Sequence, residues 1–179
     1  MMGKMKSKTV TIFGTSKAVE GDEDFMFAYQ LGKGLAEKGF VIANGGYGGV
    51  MTASAKGAIE AGGEVIGVTC RQFKSTKANE YVSRTIVADR LEDRLAKLVE
   101  LGDGYVVLAG GTGTLVELAH VWEHKNKGFD SAGKPIIIGS RNWEPLIGVM
   151  EKADSSTRES VETVYEVEGV VSVLTERLK

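Results

Sequence analysis

An α/β fold with a mainly parallel sheet, covered by helices on both faces, is the architecture that this 179-residue sequence predicts. Three observations carry that prediction. Short runs rich in β-branched residues alternate along the chain with longer segments whose apolar residues recur at helical spacing. The short runs are apolar throughout rather than alternating with polar residues, as strands buried on both faces require. Glycine supplies 24 of the residues, well above the usual share of about 7%, and it gathers where strand-like runs end.

Taken in order, Thr9 to Phe13 (TVTIF) reads as a strand that stops at Gly14, and Phe25 to Lys38 as a helix closed by Gly39. Phe40 to Ala43 (FVIA) is a second strand. It ends in Asn44-Gly45-Gly46 and is followed by a helix over Val50 to Ala61 that closes on Gly62-Gly63. Glu64 to Thr69 makes a third strand and Arg84 to Ala88 a fourth. Leu91 to Leu101 is a helix with Leu91, Leu95, Leu98 and Leu101 on one side, and Tyr105 to Leu108 (YVVL) is a fully apolar strand. After a glycine turn at 110–113, a helix is expected over Leu115 to Lys127, a strand over Pro135 to Ile138 and a helix over Trp143 to Ala153. The tail repeats the unit, with a strand over Thr163 to Val167 and a helix over Val170 to Leu178. Joined by right-handed crossovers, these elements make a Rossmann-like, doubly wound three-layer sandwich, expected to form one domain over residues 1–179. Arg71 to Ser83 and Asn126 to Lys134 are the long polar connections, the first read either as a plain crossover or as a substrate lid.

Composition narrows the function. Lys plus Arg total 22 against 24 Asp plus Glu, a formal charge of −2, so no positive field is on offer to nucleic acid or to an anionic membrane. No apolar run is long enough to span a bilayer, and the basic MMGKMKSK leads straight into the first strand, so no export signal is expected. One cysteine, Cys70, forms no internal disulfide, and a cytoplasmic location follows as the expectation. In doubly wound sheets ligands sit beyond the carboxyl ends of the strands. A small phosphorylated molecule held there is the expected partner.

The strongest local signal is Ala109-Gly110-Gly111-Thr112-Gly113-Thr114-Leu115-Val116-Glu117, set between an apolar strand and a helix. Glycines let the backbone approach a ligand, and the helix start offers unpaired N–H groups and the positive end of its dipole, which suits a phosphate. Gly110, Gly111, Thr112, Gly113 and Thr114 are therefore the candidate phosphate contacts, against a bland alternative in which Thr114 only caps the helix. No Lys-Ser or Lys-Thr follows, and the spacing is not that of the dinucleotide fingerprint. Glu117 follows about one turn later, at the same rim. A second cluster, Asn44-Gly45-Gly46-Tyr47-Gly48-Gly49-Val50-Met51, occupies the equivalent junction and adds Gly45 and Gly46 as candidate ligand contacts. His120-Val121-Trp122-Glu123-His124 fits an H-x-x-E-H zinc pattern, but no third ligand stands at a fixed spacing and two ordinary helix histidines are expected. Neither a metal nor a dissociable cofactor is expected. Cys70 reads as a small buried residue rather than a nucleophile.

The sequence resembles the Lonely Guy family, long mislabelled as lysine decarboxylases and similar to cytokinin-activating phosphoribohydrolases. AGGTGTLVE looks like the family's PGGxGTxxE, GGYGGVM like its GGGxxGLMG, and VADRLEDRL like the segment that carries its Met-x-x-Arg-Lys signature. The resemblance runs from about Thr9 to Met150. It implies that Arg94 and Glu117 are the catalytic arginine and glutamate, that the chain forms a homodimer or larger assembly with a shared site, and that the reaction is hydrolysis of the N-glycosidic bond of a nucleoside 5′-monophosphate. Ala109 replaces the motif proline, Leu91 the methionine, Leu95 the lysine and Thr52 the last glycine of the first cluster. Related branches carry the molybdenum cofactor or sense nucleotide-derived ligands, so the resemblance also implies an alternative: a non-catalytic binding protein such as a molybdenum cofactor carrier.

Overall fold

A computed structural model of the chain describes residues 7–129 and 133–179. Its strands are β1 (Thr9–Phe13), β2 (Val41–Asn44), β3 (Val65–Cys70), β4 (Arg84–Ala88), β5 (Gly104–Val107), β6 (Ile136–Ile138) and β7 (Glu162–Thr163). The helices are α1 (Glu23–Glu37), α2 (Val50–Glu60), α3 (Leu91–Leu101), α4 (Thr112–Asn126), α5 (Glu144–Ala153) and α6 (Val167–Arg177), with short 3-10 turns at Arg141–Trp143 and Ser155–Ser160. All seven strands pair in parallel in the order β4-β3-β2-β1-β5-β6-β7. The Rossmann-like α/β fold class expected from the sequence is the one observed. Among the described residues no helix is long and apolar enough to cross a membrane.

Alternate residues of each strand feed the two faces. Val10 and Ile12 of β1 join Leu31, Leu35, Ile42 and Leu174 in a core under α1, α2 and α6. Phe13 joins Leu98, Tyr105, Val107 and Leu118 in a second core under α3, α4 and α5. The chain winds outward from β1 to β4 and then returns to start β5 on the other side of β1. Strand order reverses there, so the loops after β1 and β5 diverge and leave a crevice at their carboxyl ends.

The two helices α1 and α2 meet through glycine. A Cβ on Gly57 would run into the Tyr29 carbonyl and stand 3.0 Å from the Lys33 nitrogen, and one on Gly32 would run into the Ser54 carbonyl. Helix propensity alone makes Gly57→Ala stabilising by about 1 kcal/mol. Backbone contact reverses the sign: the variant is expected to lose about 2 kcal/mol, read as a lower urea midpoint at unchanged slope.

Three expectations need correction. Helix α4 begins at Thr112 rather than Leu115, so Gly113 and Thr114 are helical and the turn proper is Ala109 to Gly111. The last strand is the two-residue β7, and α6 starts at Val167 rather than Val170. Its partner β6 has only three residues to pair with, while Val170, Val171 and Leu174 bury one helical stripe, which outweighs the local β-propensity of TVYEV. The connection over 71–83 is the β3-to-β4 crossover, made without a helix, and its first residues line the crevice. Of the second polar connection, 126–134, residues 130–132 lie outside the described residues.

Candidate functional site

The crevice is a cavity of about 670 Å³ over the carboxyl ends of β1 and β5. One wall is the start of α4. Gly111, its N-cap, is extended (φ −98°, ψ −151°) and no side chain caps the helix. Thr114 folds back over Gly110 and is buried, so it is not the cap that the bland reading made it. The N–H groups of Thr112, Gly113 and Thr114 have no acceptor within the helix and lie at the cavity, the arrangement that receives an anion. Opposite them runs the loop after β1, residues 14–17. It is tied down by Thr15 N–H donating to the Ala109 carbonyl (2.8 Å), and it brings the exposed Lys17 to the mouth.

The floor holds a buried ion pair. Arg94 of α3 is 7% exposed. Its Nε donates to the Val68 carbonyl at 2.8 Å, and its Nη1 stands 3.6 Å from Oε1 of Glu117 on α4. The guanidinium lies beside the Tyr47 and Phe73 rings, 5.7 and 5.6 Å from their centroids. It fits because residue 45 has no side chain: a Cβ there would overlap Nη2 and stand 2.6 Å from the Met51 sulfur. Burial pushes the Glu117 carboxyl up to about 7, and Arg94 pulls against that without cancelling it.

That shift has a stability consequence. A carboxyl whose folded pKa of about 7 lies above its ordinary 4.5 contributes stability that is whole below 4.5 and is lost as pH rises through 7. The loss is about 3 kcal/mol at about 1.4 kcal/mol per pH unit. Glu117→Gln does not titrate. Between pH 4.5 and 8, chemical denaturation is expected to show wild type losing stability relative to the variant by about that amount.

The SLOG cluster4 family profile matches residues 7–130, more than half of the chain. This protein belongs to the SLOG cluster4 family. It is 36% identical over 141 residues to an uncharacterized protein of Archaeoglobus fulgidus, covering 78% of this chain and 90% of that one. Against a cytokinin riboside 5′-monophosphate phosphoribohydrolase of Rhodococcoides fascians it is 27% identical over 178 residues, covering 93% and 89%. Among solved structures, the molybdenum cofactor binding protein from Rippkaea orientalis superposes with a TM-score of 0.79 at 24% identity, over 98% of this chain and 100% of that one. That likeness speaks for the fold. The Lonely Guy resemblance drawn from the motifs agrees with the name that the Rhodococcoides fascians relative carries.

In this SLOG cluster4 protein Gly45, Arg94, Gly111, Thr112, Gly113, Thr114 and Glu117 all line the one cavity. Gly46 and Gly110 do not. The Gly46 N–H is taken by Asn44 Oδ1 (2.8 Å) and its carbonyl by Asn79, while its left-handed φ of 75° lets it pack on Gly67 and Thr69. Gly110 lies under the Thr114 side chain. The two glycine turns are therefore not equivalent: Thr15 occupies the first N–H of α2, and Gly49 exists because the 15–16 backbone crosses it. His120 and His124 do face each other, centroids 4.3 Å apart, and burial followed by His124 lowers the His120 pKa. No group of three metal-ligating side chains occurs among the described residues. Cys70 is buried at the end of β3.

The lining residues not named as candidate contacts are Ile12 to Lys17, Tyr47, Met51 and Phe73 to Ser75. A signal existed for the first group, since Thr15-Ser16-Lys17 directly follows the first strand of a doubly wound sheet. Phe73 to Ser75 belong to the 71–83 connection, whose length and polarity offered a lid as one reading; which of its residues reach the crevice depends on the crossover's path.

Proposed function

We propose that this protein hydrolyses the N-glycosidic bond of a nucleoside 5′-monophosphate, releasing free base and ribose 5-phosphate. The observation that carries this reading is the buried Arg94–Glu117 pair, one helical turn from an uncapped helix start on the same cavity. The N–H groups of Thr112 to Thr114, with Lys17 at the mouth, hold the 5′-phosphate, and this remote binding energy fixes the ribose. Glu117 then lies where the sugar's C1′ carbon comes to rest. As the carbon–nitrogen bond breaks, its electron pair leaves with the base and positive charge develops on the ribose. The Glu117 carboxylate stabilises that charge and takes a proton from the water that adds to C1′. Arg94 orients the carboxylate and stabilises the negative charge on the departing base, which then takes up the proton that Glu117 accepted from water, so that the carboxylate is restored. No metal enters this scheme.

Relatives named as cytokinin riboside 5′-monophosphate phosphoribohydrolases support the reaction class. A carrier that binds a nucleotide-like ligand such as the molybdenum cofactor without turnover is the second reading. Leu95 favours it, since α3 presents one cation to the cavity where the Lonely Guy signature has two in succession. Incubation with a panel of nucleoside monophosphates, followed by chromatography for free base, separates the two. Release of base supports the hydrolase; tight binding with no release from any member supports the carrier. The homodimer implied by the family resemblance belongs to the same proposal, and light scattering that finds monomer alone counts against a shared site.

A further inference from the structure

The cavity has two chemically different ends. At one lie the free N–H groups of α4; at the other, two aromatic rings stand against each other, Tyr47 and Phe73, with centroids 5.5 Å apart and planes tilted by 56°. Phe73 is 40% exposed although it sits at the start of the β3-to-β4 crossover, where any polar residue would be less costly. Nor is it loosely held. The Phe73 N–H donates to the Cys70 carbonyl at 3.2 Å. The Tyr47 hydroxyl accepts from the Cys70 N–H (2.9 Å) and donates to the Ser75 carbonyl (3.0 Å), so one side chain fastens the backbone on both sides of Phe73.

Resting on the functional reading above, we propose that Phe73 is the residue that recognises the base: the flat ring of the nucleotide stacks on its exposed face, and Tyr47 is the positioning residue that holds Phe73 there. A ligand with a phosphate at one end and a π-face at the other matches a cavity that offers the free N–H groups at the start of α4 together with two aromatic rings. The Tyr47 hydroxyl already donates to the Ser75 carbonyl and accepts from the Cys70 N–H, so what Tyr47 and Phe73 offer a base is ring faces rather than base-specific hydrogen bonds. The neighbouring Arg94 guanidinium lies against the same two rings. Stacking of the base therefore also brings the leaving group to that cation.

The test compares two probes that share phosphate and sugar and differ in the base: adenosine 5′-monophosphate and ribose 5-phosphate. Both are titrated calorimetrically into the Glu117→Gln protein, which does not consume them. Adding Phe73→Ala is expected to weaken adenosine monophosphate about tenfold or more, the usual effect of deleting a stacking partner, and to leave ribose 5-phosphate within about twofold. Phe73→Trp restores the difference, and Tyr47→Phe reproduces part of the loss for the nucleotide alone. Equal weakening of both probes, or of neither, overturns the assignment. If the Glu117→Gln protein holds ribose 5-phosphate as tightly as the nucleotide, the stacking wall fails while the phosphate site stands. If it binds neither probe, the functional reading fails and takes this inference with it.

Discussion

Glu117→Gln is expected to lower base release at least a thousandfold while changing nucleotide affinity by less than about threefold, because a positioned carboxylate contributes about 10²–10⁴ through proton transfer and electrostatics add to that. The amide is nearly isosteric and fills the same buried space beside Arg94, so the cavity keeps its shape. What it loses is the charge that opposes the developing oxocarbenium ion and the site that accepts a proton from water. In the proposed binding mode the phosphate is held by the backbone of α4 and by Lys17, and not by residue 117. Wild-type activity also has a predicted pH dependence. The working form is the carboxylate and burial holds its pKa at about 7, so kcat/KM rises with pH through about 7 and levels off above. A decline through the same range would assign Glu117 the role of an acid instead. Turnover undiminished in the Gln variant would remove the mechanism altogether.

The second large effect is expected from a residue that performs no chemistry. Gly45→Ala is predicted to cut kcat about a hundredfold and to move the rising limb of the pH profile upward. Residue 45 is not in the left-handed region, so alanine meets no backbone strain there. The obstacle is the Arg94 guanidinium, which the new methyl would overlap, with the Met51 sulfur 2.6 Å away on the other side. Arg94 is held at its other end by the Val68 carbonyl and cannot simply slide. Displacing it removes the one group that lowers the Glu117 pKa and leaves burial unopposed, so the carboxylate fraction at neutral pH falls. Steady-state kinetics from pH 5.5 to 9 reads both effects. Lower kcat with an unmoved limb would mean that the methyl acts on substrate placement and not through Arg94.

Much of the architecture was legible in the order of residues. The strand-to-helix turns at Gly45 and Gly111 were visible as turns because glycine placement after an apolar run is a local property of the backbone, although the second ends at Gly111 rather than Gly113. Boundaries slipped where two local preferences competed. Thr112 and Gly113 are poor helix formers, yet α4 begins with them. Residues 164–167 are β-branched or aromatic for the most part, yet they lead into α6 because its apolar stripe has a core to cover. The family resemblance supplied Arg94 and Glu117 as a pair; spacing alone would have left Arg94 among several charged neighbours on α3.

From the sequence by itself came the alternation of strand and helix, the parallel sheet it requires, and the helix start available to an anion, since periodicity and turn chemistry act over a few neighbouring residues. Tertiary structure decided which of those residues share a site. It drew Gly46 away from the cavity by engaging its N–H and carbonyl, brought in the loop after β1 and the aromatic wall at Tyr47 and Phe73, and raised the Glu117 carboxyl to about 7. Burial and the approach of one chain segment to another are sums over contacts between residues far apart in sequence, and those sums exist only once the chain has folded.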